Sequence, residues 1–165
     1  MMRDIIVVGT SGFAKEVIFL LENSYTKLGE KWNVIGCIDE KLTIGKKILR
    51  YPVLGNDDFL LNYKKPINVA MGIGDPVIKK RVVEKLKKNS NLLFPNVIAS
   101  TVQMDDSVIL GEGCIICHMN ILTTDIKVGD FVTLNLSNTI GHDTKIEDYV
   151  TVNPGCNISG NVEIG

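Results

Sequence analysis

The chain has 165 residues, 45% hydrophobic and 22% charged, with a formal net charge of −1, an ordinary globular composition that excludes disordered and fibrous classes. No apolar run approaches the roughly 18 residues that span a bilayer, and Asp4 and Glu16 interrupt the N-terminal stretch where a signal peptide would carry its apolar region. Four cysteines (Cys37, Cys114, Cys117 and Cys156) are too few for a secreted disulfide framework, so the expectation is a cytoplasmic protein with no membrane insertion.

The small net charge hides an asymmetry: residues 1–95 hold 16 Lys/Arg against 10 Asp/Glu, and residues 96–165 hold 2 against 9. The first half alternates apolar runs with helical stretches, the grammar of βαβ units. In chain order the sequence predicts a buried strand over Asp4–Gly9, a helix over Phe13–Asn23, a strand over Trp32–Asp39, a third over Asn68–Gly74 and a helix over Asp75–Asn89. In the last, Asp75 suits the N-cap, Pro76 the first helical position, and Ile78, Val82 and Leu86 form its apolar stripe. Its lysines and arginines (Lys79, Lys80, Arg81, Lys85, Lys87 and Lys88) read as a solvated face suited to steering anions, and no aromatics interleave with them as nucleic-acid binding would need. The loop Gly9-Thr10-Ser11-Gly12 follows a strand and opens a helix, so its N–H groups suit a diphosphate. It fits the dinucleotide fingerprint badly, because Ser11 and Ala14 fall where that fingerprint has glycines.

After Pro95 the helical period gives way to a period of six. Stepping by six from Met104 through Leu110, Ile116, Leu122, Val128, Leu134, Ile140, Ile146, Val152 and Ile158 to Ile164 meets an apolar residue every time, and a second series of modest-sized residues runs two positions ahead. Each hexad is then one short strand and one corner, with turn formers such as Gly111, Gly129, Asn135 and Gly141 just after the apolar position. Three hexads make an 18-residue coil, so columns such as Leu110, Val128, Ile146 and Ile164 stack inside a triangular prism, a parallel β-helix. The period does not fix its hand; right-handed crossovers are the general rule.

Tandem [Leu/Ile/Val]-Gly hexads resemble the left-handed β-helix of the hexapeptide-repeat acyltransferases. Joined to the N-terminal Gly-x-Ser-Gly loop, the Ile38-Asp39 pair and Gly141-His142-Asp143, they resemble more narrowly the sugar O-acyltransferase and sialic acid O-acetyltransferase group, which includes UDP-4-amino-sugar N-acetyltransferases of bacillosamine-type synthesis. The resemblance implies an α/β Rossmann-like domain over 1–95 that binds a UDP-sugar, a left-handed β-helix acyltransferase domain over 96–165, acetyl-CoA as co-substrate and a homotrimer. It places Gly9, Ser11, Gly12, Asp39, Gly74 and Asp75 at the substrate, with Asp39 accepting a hydrogen bond from the nucleoside. As simple structure, Asp39 is a solvated loop acid and Gly74-Asp75 a loop with its helix cap.

Of the two histidines, His118 and His142, the resemblance gives His142 the role of general base. An imidazole suits that task near neutral pH and accelerates by about 10²–10⁴-fold, and the adjacent Asp143 can fix its tautomer. Gly160, one coil on, would stack beneath His142 with a backbone N–H for the oxyanion. Asn135, near the same corner, resembles a substrate-binding asparagine of the family, or is a turn residue. Two histidines are too few for a three-histidine zinc site, and Cys114-x-x-Cys117 is a lone pair in hexad register, so no metal is expected. The hexads stop in mid-pattern at Ile164-Gly165, about 3.5 coils after Val102; the expectation is a β-helix short of its last coils, with an incomplete acetyl-CoA groove and weakened activity. Two other readings stay open: a free-sugar or sialic acid O-acetyltransferase, and a non-catalytic nucleotide-sugar-binding and trimerisation module. One histidine serves an amine or a hydroxyl acceptor equally.

Overall fold

The computed structural model describes residues 2–165, which fall into two compact units, one ending at Pro95 and the other running Asn96–Gly165. The first carries β1 (Met2–Val8), α1 (Gly12–Glu22), β2 (Lys31–Ile38), β3 (Lys47–Ile48), β4 (Tyr51–Gly55), α2 (Asp57–Leu61), β5 (Ile67–Met71), α3 (Pro76–Leu86) and β6 (Leu92–Leu93). Its sheet has the order β3-β4-β2-β1-β5-β6. Every pairing is parallel except β3 with β4, an antiparallel edge that the alternation of runs and helices did not predict. Ile5, Ile6, Val7 and Val8 are all buried, as befits a central parallel strand covered on both faces. Strand β5 stops at Met71, short of the expected Gly74, because its partner β1 ends opposite at Val8 and has no further edge to offer.

Helix α3 starts as expected, the Asp75 carboxylate accepting from the Ile78 N–H at 2.8 Å with Pro76 in the first turn. Its inward row, however, is Lys79, Val83 and Leu86. Ile78 is 43% exposed and Val82 half-buried, so two members of the expected stripe face away from the sheet. Periodicity cannot tell a row that meets the core from a row that lines a cavity, and here it lines a cavity. The same rotation removes Lys79 from the solvated face: it is 1% exposed.

The second unit stacks two-residue strands on three parallel faces. One face holds Val97–Ile98, Ile115–Ile116, Thr133–Leu134 and Thr151–Val152; the next Gln103–Met104, Ile121–Leu122, Thr139–Ile140 and Asn157–Ile158; the third Ile109–Leu110, Lys127–Val128, Lys145–Ile146 and Glu163–Ile164. Register steps by one coil throughout, Leu110 against Val128, Val128 against Ile146 and Ile146 against Ile164. The repeat begins one hexad before Val102–Met104, at Val97–Ile98. Leu122, Val128, Leu134, Ile140 and Ile146 form the prism's core with Ile126 and Val132 of the second series.

The corners differ from the expectation. Met119, Asp125, Phe131, Ser137, Asp143, Tyr149 and Asn161 all have positive φ near 60°, as do Gly113 and Gly155. The left-handed residue is therefore the third after each inward apolar side chain, not the first. Glycine at the first position answers a different need: a Cβ on Gly111 would strike the Asp130 carboxylate of the next coil, and one on Gly129 that of Asp148. Those carboxylates cap backbone N–H groups one coil back, Asp130 Oδ1 accepting from Glu112 N at 2.9 Å and Asp148 Oδ1 from Asp130 N at 2.7 Å.

Two buried asparagines in the second inward series close backbone groups that the short strands leave open. Asn138 Nδ2 donates to the Asn135 carbonyl at 2.8 Å, and its Oδ1 accepts from Cys156 N at 2.8 Å; Asn120 Nδ2 donates to the Asn135 carbonyl at 2.7 Å. Replacing Asn138 with valine orphans a buried donor and weakens the hold on a carbonyl, so urea unfolding should show a loss of about 2–4 kcal/mol. An unchanged midpoint would refute the ladder's contribution.

Candidate functional site

In the first unit, the chain runs from β1 to β2 on one side and reaches β5 on the other, which makes the carboxyl end of β1 a topological switch point, where open α/β sheets bind ligands. A cavity of about 480 Å³ opens there. Its floor is the loop after β1: Gly9 has φ of +114°, its N–H donates to the Ile38 carbonyl at 2.9 Å, and a Cβ there would lie 2.7 Å from the Gly72 carbonyl oxygen, so only glycine fits. Ser11 is the N-cap of α1, yet its hydroxyl makes no cap hydrogen bond. In contrast Asn56 caps α2 and Asp75 caps α3. Among the described residues the first turn of α1 thus presents open N–H groups beside the cavity, the arrangement that receives a phosphate.

Asp39 closes the second side. Its Oδ1 accepts from the Lys41 and Leu42 N–H groups at 2.8 and 3.1 Å, and its Oδ2 accepts from the Thr10 hydroxyl. The carboxylate pins two loops together rather than standing solvated, and it keeps only residual capacity for a ligand. Burial, reinforced by the Asp39 charge, pushes the neighbouring Cys37 thiol up to about 11. Beyond Asp39 lies Asp57, 6% exposed, its Oδ2 held by the Lys85 ammonium at 2.9 Å, with Glu40 at 3.5 Å from the same nitrogen. The bond to Asp57 is the largest cause that raises the Lys85 pKa. Ile73, Ile78 and Val82 give the wall an apolar stretch, and Lys41 and Arg81 bring positive charge.

Of the residues expected at the substrate, Gly9, Ser11, Asp39, Gly74 and Asp75 line this cavity, and Gly12 does not. Gly12 opens α1 with nothing within 4 Å of where its Cβ would sit. Glu40, Lys41 and Asp57 line it without having been anticipated. Asp57 could have been found from its place in Gly55-Asn56-Asp57-Asp58, a glycine and cap signature after a strand, but a five-residue helix carries no usable periodicity.

In the second unit, His142 occupies the corner between Thr139–Ile140 and Lys145–Ile146. Its Nδ1 lies 2.7 Å from Asp143 Oδ2, and both side chains are exposed. Asp143 holds the left-handed corner position at φ 58°, a conformation aspartate tolerates better than most residues. Directly beneath is Gly160: a Cβ there would be 2.6 Å from His142 Nε2 and 2.7 Å from Cε1, so the imidazole lies flat over a backbone with no side chain. The Gly160 N–H meets no acceptor among the described residues. Asn135 is not at this corner. It sits in the preceding one, between Thr133–Leu134 and Thr139–Ile140, because it is the first residue after its inward leucine whereas His142 is the second after the next inward isoleucine. Its Oδ1 accepts from Leu136 N at 2.8 Å. His118 lies at that other corner too, one coil away, with Nδ1 3.0 Å from Thr101 Oγ1. Cys114 and Cys117 are buried in the prism.

A Rossmann-like sheet with a cavity at its switch point, followed by hexapeptide coils that carry a carboxylate-held histidine at a corner, defines a hexapeptide-repeat acyltransferase. Residues 4–86 match the PglD N-terminal domain family. A GDP-perosamine N-acetyltransferase of Escherichia coli O157:H7 is 29% identical over 96% of this chain and 71% of its own length. The structure of WeeI from Acinetobacter baumannii AYE is 33% identical with a TM-score of 0.81, covering 99% of this chain and 74% of that one. The acetyltransferase domain of PglB from Neisseria gonorrhoeae FA1090 is 25% identical with a TM-score of 0.87, covering 99% and 77%; its structure with acetyl coenzyme A superposes equally well. The chain belongs to the PglD N-terminal domain family, and its coils are the left-handed β-helix of that acyltransferase fold. No helix among the described residues is long and apolar enough to cross a membrane.

Proposed function

We propose that the chain transfers the acetyl group of acetyl-CoA to the amine of a nucleotide-linked 4-amino-sugar, with residues 1–95 binding the nucleotide and the β-helix carrying the chemistry. The observation that carries this reading is the 2.7 Å contact between His142 Nδ1 and Asp143 Oδ2, which directs Nε2 toward an incoming nucleophile. His142 Nε2 takes a proton from the sugar amine as its nitrogen attacks the thioester carbonyl. Asp143 stabilises the imidazolium, and the open N–H of Gly160 meets the carbonyl oxygen as it gains charge. Collapse of that adduct breaks the C–S bond and releases CoA, the proton on His142 passing to the leaving sulfur.

The relatives' names support this acceptor: one is a GDP-perosamine N-acetyltransferase, and the open first turn of α1 suits the diphosphate of such a sugar. A homotrimer is the assembly that the family resemblance supports, and four free cysteines fit a cytoplasmic site of action. The test is release of CoA thiol on mixing the chain with acetyl-CoA and UDP- or GDP-linked 4-amino-sugars. Amine-dependent release is expected; release that is unchanged when the amine is replaced by a hydroxyl overturns the N-acetyl reading.

A further inference from the structure

We propose that Asp57 selects the nucleobase, its Oδ1 accepting a hydrogen bond from the lactam N–H that guanine and uracil carry and that adenine and cytosine lack. This inference rests on the nucleotide-sugar reading above. Asp57 lines the cavity, and its side chain is only 8% exposed. Lys85 fixes Oδ2 at 2.9 Å, while no donor reaches Oδ1 among the described residues. The open oxygen of a carboxylate fixed at a cavity wall is an acceptor that a ligand N–H or O–H can meet.

The sheet edge decides which part of a nucleotide arrives there. The Gly9 N–H bonds the Ile38 carbonyl, the Asp39 N–H bonds the Gly55 carbonyl at 3.0 Å, and Asp57 follows two residues after Gly55. Diphosphate loop, Asp39 and Asp57 thus follow one another along the carboxyl ends of β1, β2 and β4. Two strand spacings of about 4.8 Å separate the first from the last. With the diphosphate on the Gly9–Ser11 loop, the ribose falls by Asp39 and the base by Asp57. Ile78, Val82 and Lys85 lie on one row of α3, so the contact of Lys85 with Asp57 brings the apolar Val82 alongside, where the face of a base can rest.

An ionised carboxylate only accepts. Uracil offers it N3–H and guanine N1–H with N2–H₂, whereas cytosine N3 and adenine N1 turn a lone pair toward it. Isothermal titration of the whole chain with UDP, GDP, CDP and ADP, repeated on Asp57→Asn, tests this. The better bound of UDP and GDP should bind at least tenfold tighter than CDP and ADP. In Asp57→Asn, whose amide can donate as well as accept, the margin over CDP should shrink below threefold. Equal binding of CDP in the unaltered chain overturns the proposal without needing the variant to fold, and so does an undiminished margin in a folded Asp57→Asn. Binding of all four alike sinks this inference alone; binding of none sinks the nucleotide-sugar reading with it.

Discussion

Replacing His142 with alanine should lower kcat by about 10²–10⁴-fold, the range a positioned acid–base group supplies, while nucleotide affinity stays within twofold. The two effects separate because the cavity proposed for the nucleotide is lined wholly by residues of the first unit, whereas His142 is an exposed corner residue whose removal opens no core cavity. Asp143→Asn is the companion measurement. Asparagine tolerates the left-handed conformation that Asp143 adopts at φ 58°, so the corner survives and only the charge on the imidazole's partner is lost. A fall in kcat without a fall in thermal midpoint is the expected signature. If His142→Ala retains more than a tenth of kcat, another group removes the proton and the assignment of the base fails.

The solenoid was legible because its signal is steric and repeated: every position of the six-step series from Met104 to Ile164 is apolar, and the structure stacks Leu110, Val128, Ile146 and Ile164 in the predicted column. What stayed hidden depends on contacts between coils. The left-handed corner positions could not be read from residue type, since Phe131 and Tyr149 hold two of them. Their conformation is supported by their rings stacking at 5.6 Å, and Gly113 leaves room where a Cβ would lie 2.5 Å from the Phe131 ring. The hand followed from resemblance and not from the period. In the first unit, Ile78 and Val82 carry helical periodicity that is indistinguishable from core packing, and Asp57 sits on a helix too short to show any. The loop glycines were visible because Gly9 answers a local backbone demand, a positive φ in a tight turn. Asp39 was visible as an acid after a strand; its bonds from Lys41 and Leu42 N–H are a local turn, but the one from Thr10, 29 residues away, is tertiary and could not be read.

Gly160→Ala should remove most of the activity while leaving the fold nearly as stable as before. The added methyl would stand 2.6–2.8 Å from three atoms of the His142 ring, closer than real Cβ contacts allow, and the ring is the end that can move because it is exposed. Gly160 is not among the positive-φ glycines, so alanine meets no backbone strain there. The imidazole must swing off its seat, and a misplacement of roughly 1 Å costs about 10²-fold in rate. The N–H of residue 160 remains in the variant, so this loss reports the position of the base and not the oxyanion donor. Gly141→Ala gives the contrasting case: its Cβ would run into the backbone nitrogen of Gly160 and, at 2.7 Å, the carbonyl carbon of Ser159. Backbone cannot yield as a side chain does, so that variant should lose stability and activity together. A Gly160→Ala chain that keeps kcat within twofold would mean that the ring's seat over the glycine is not its working position, and the base would have to act from another rotamer.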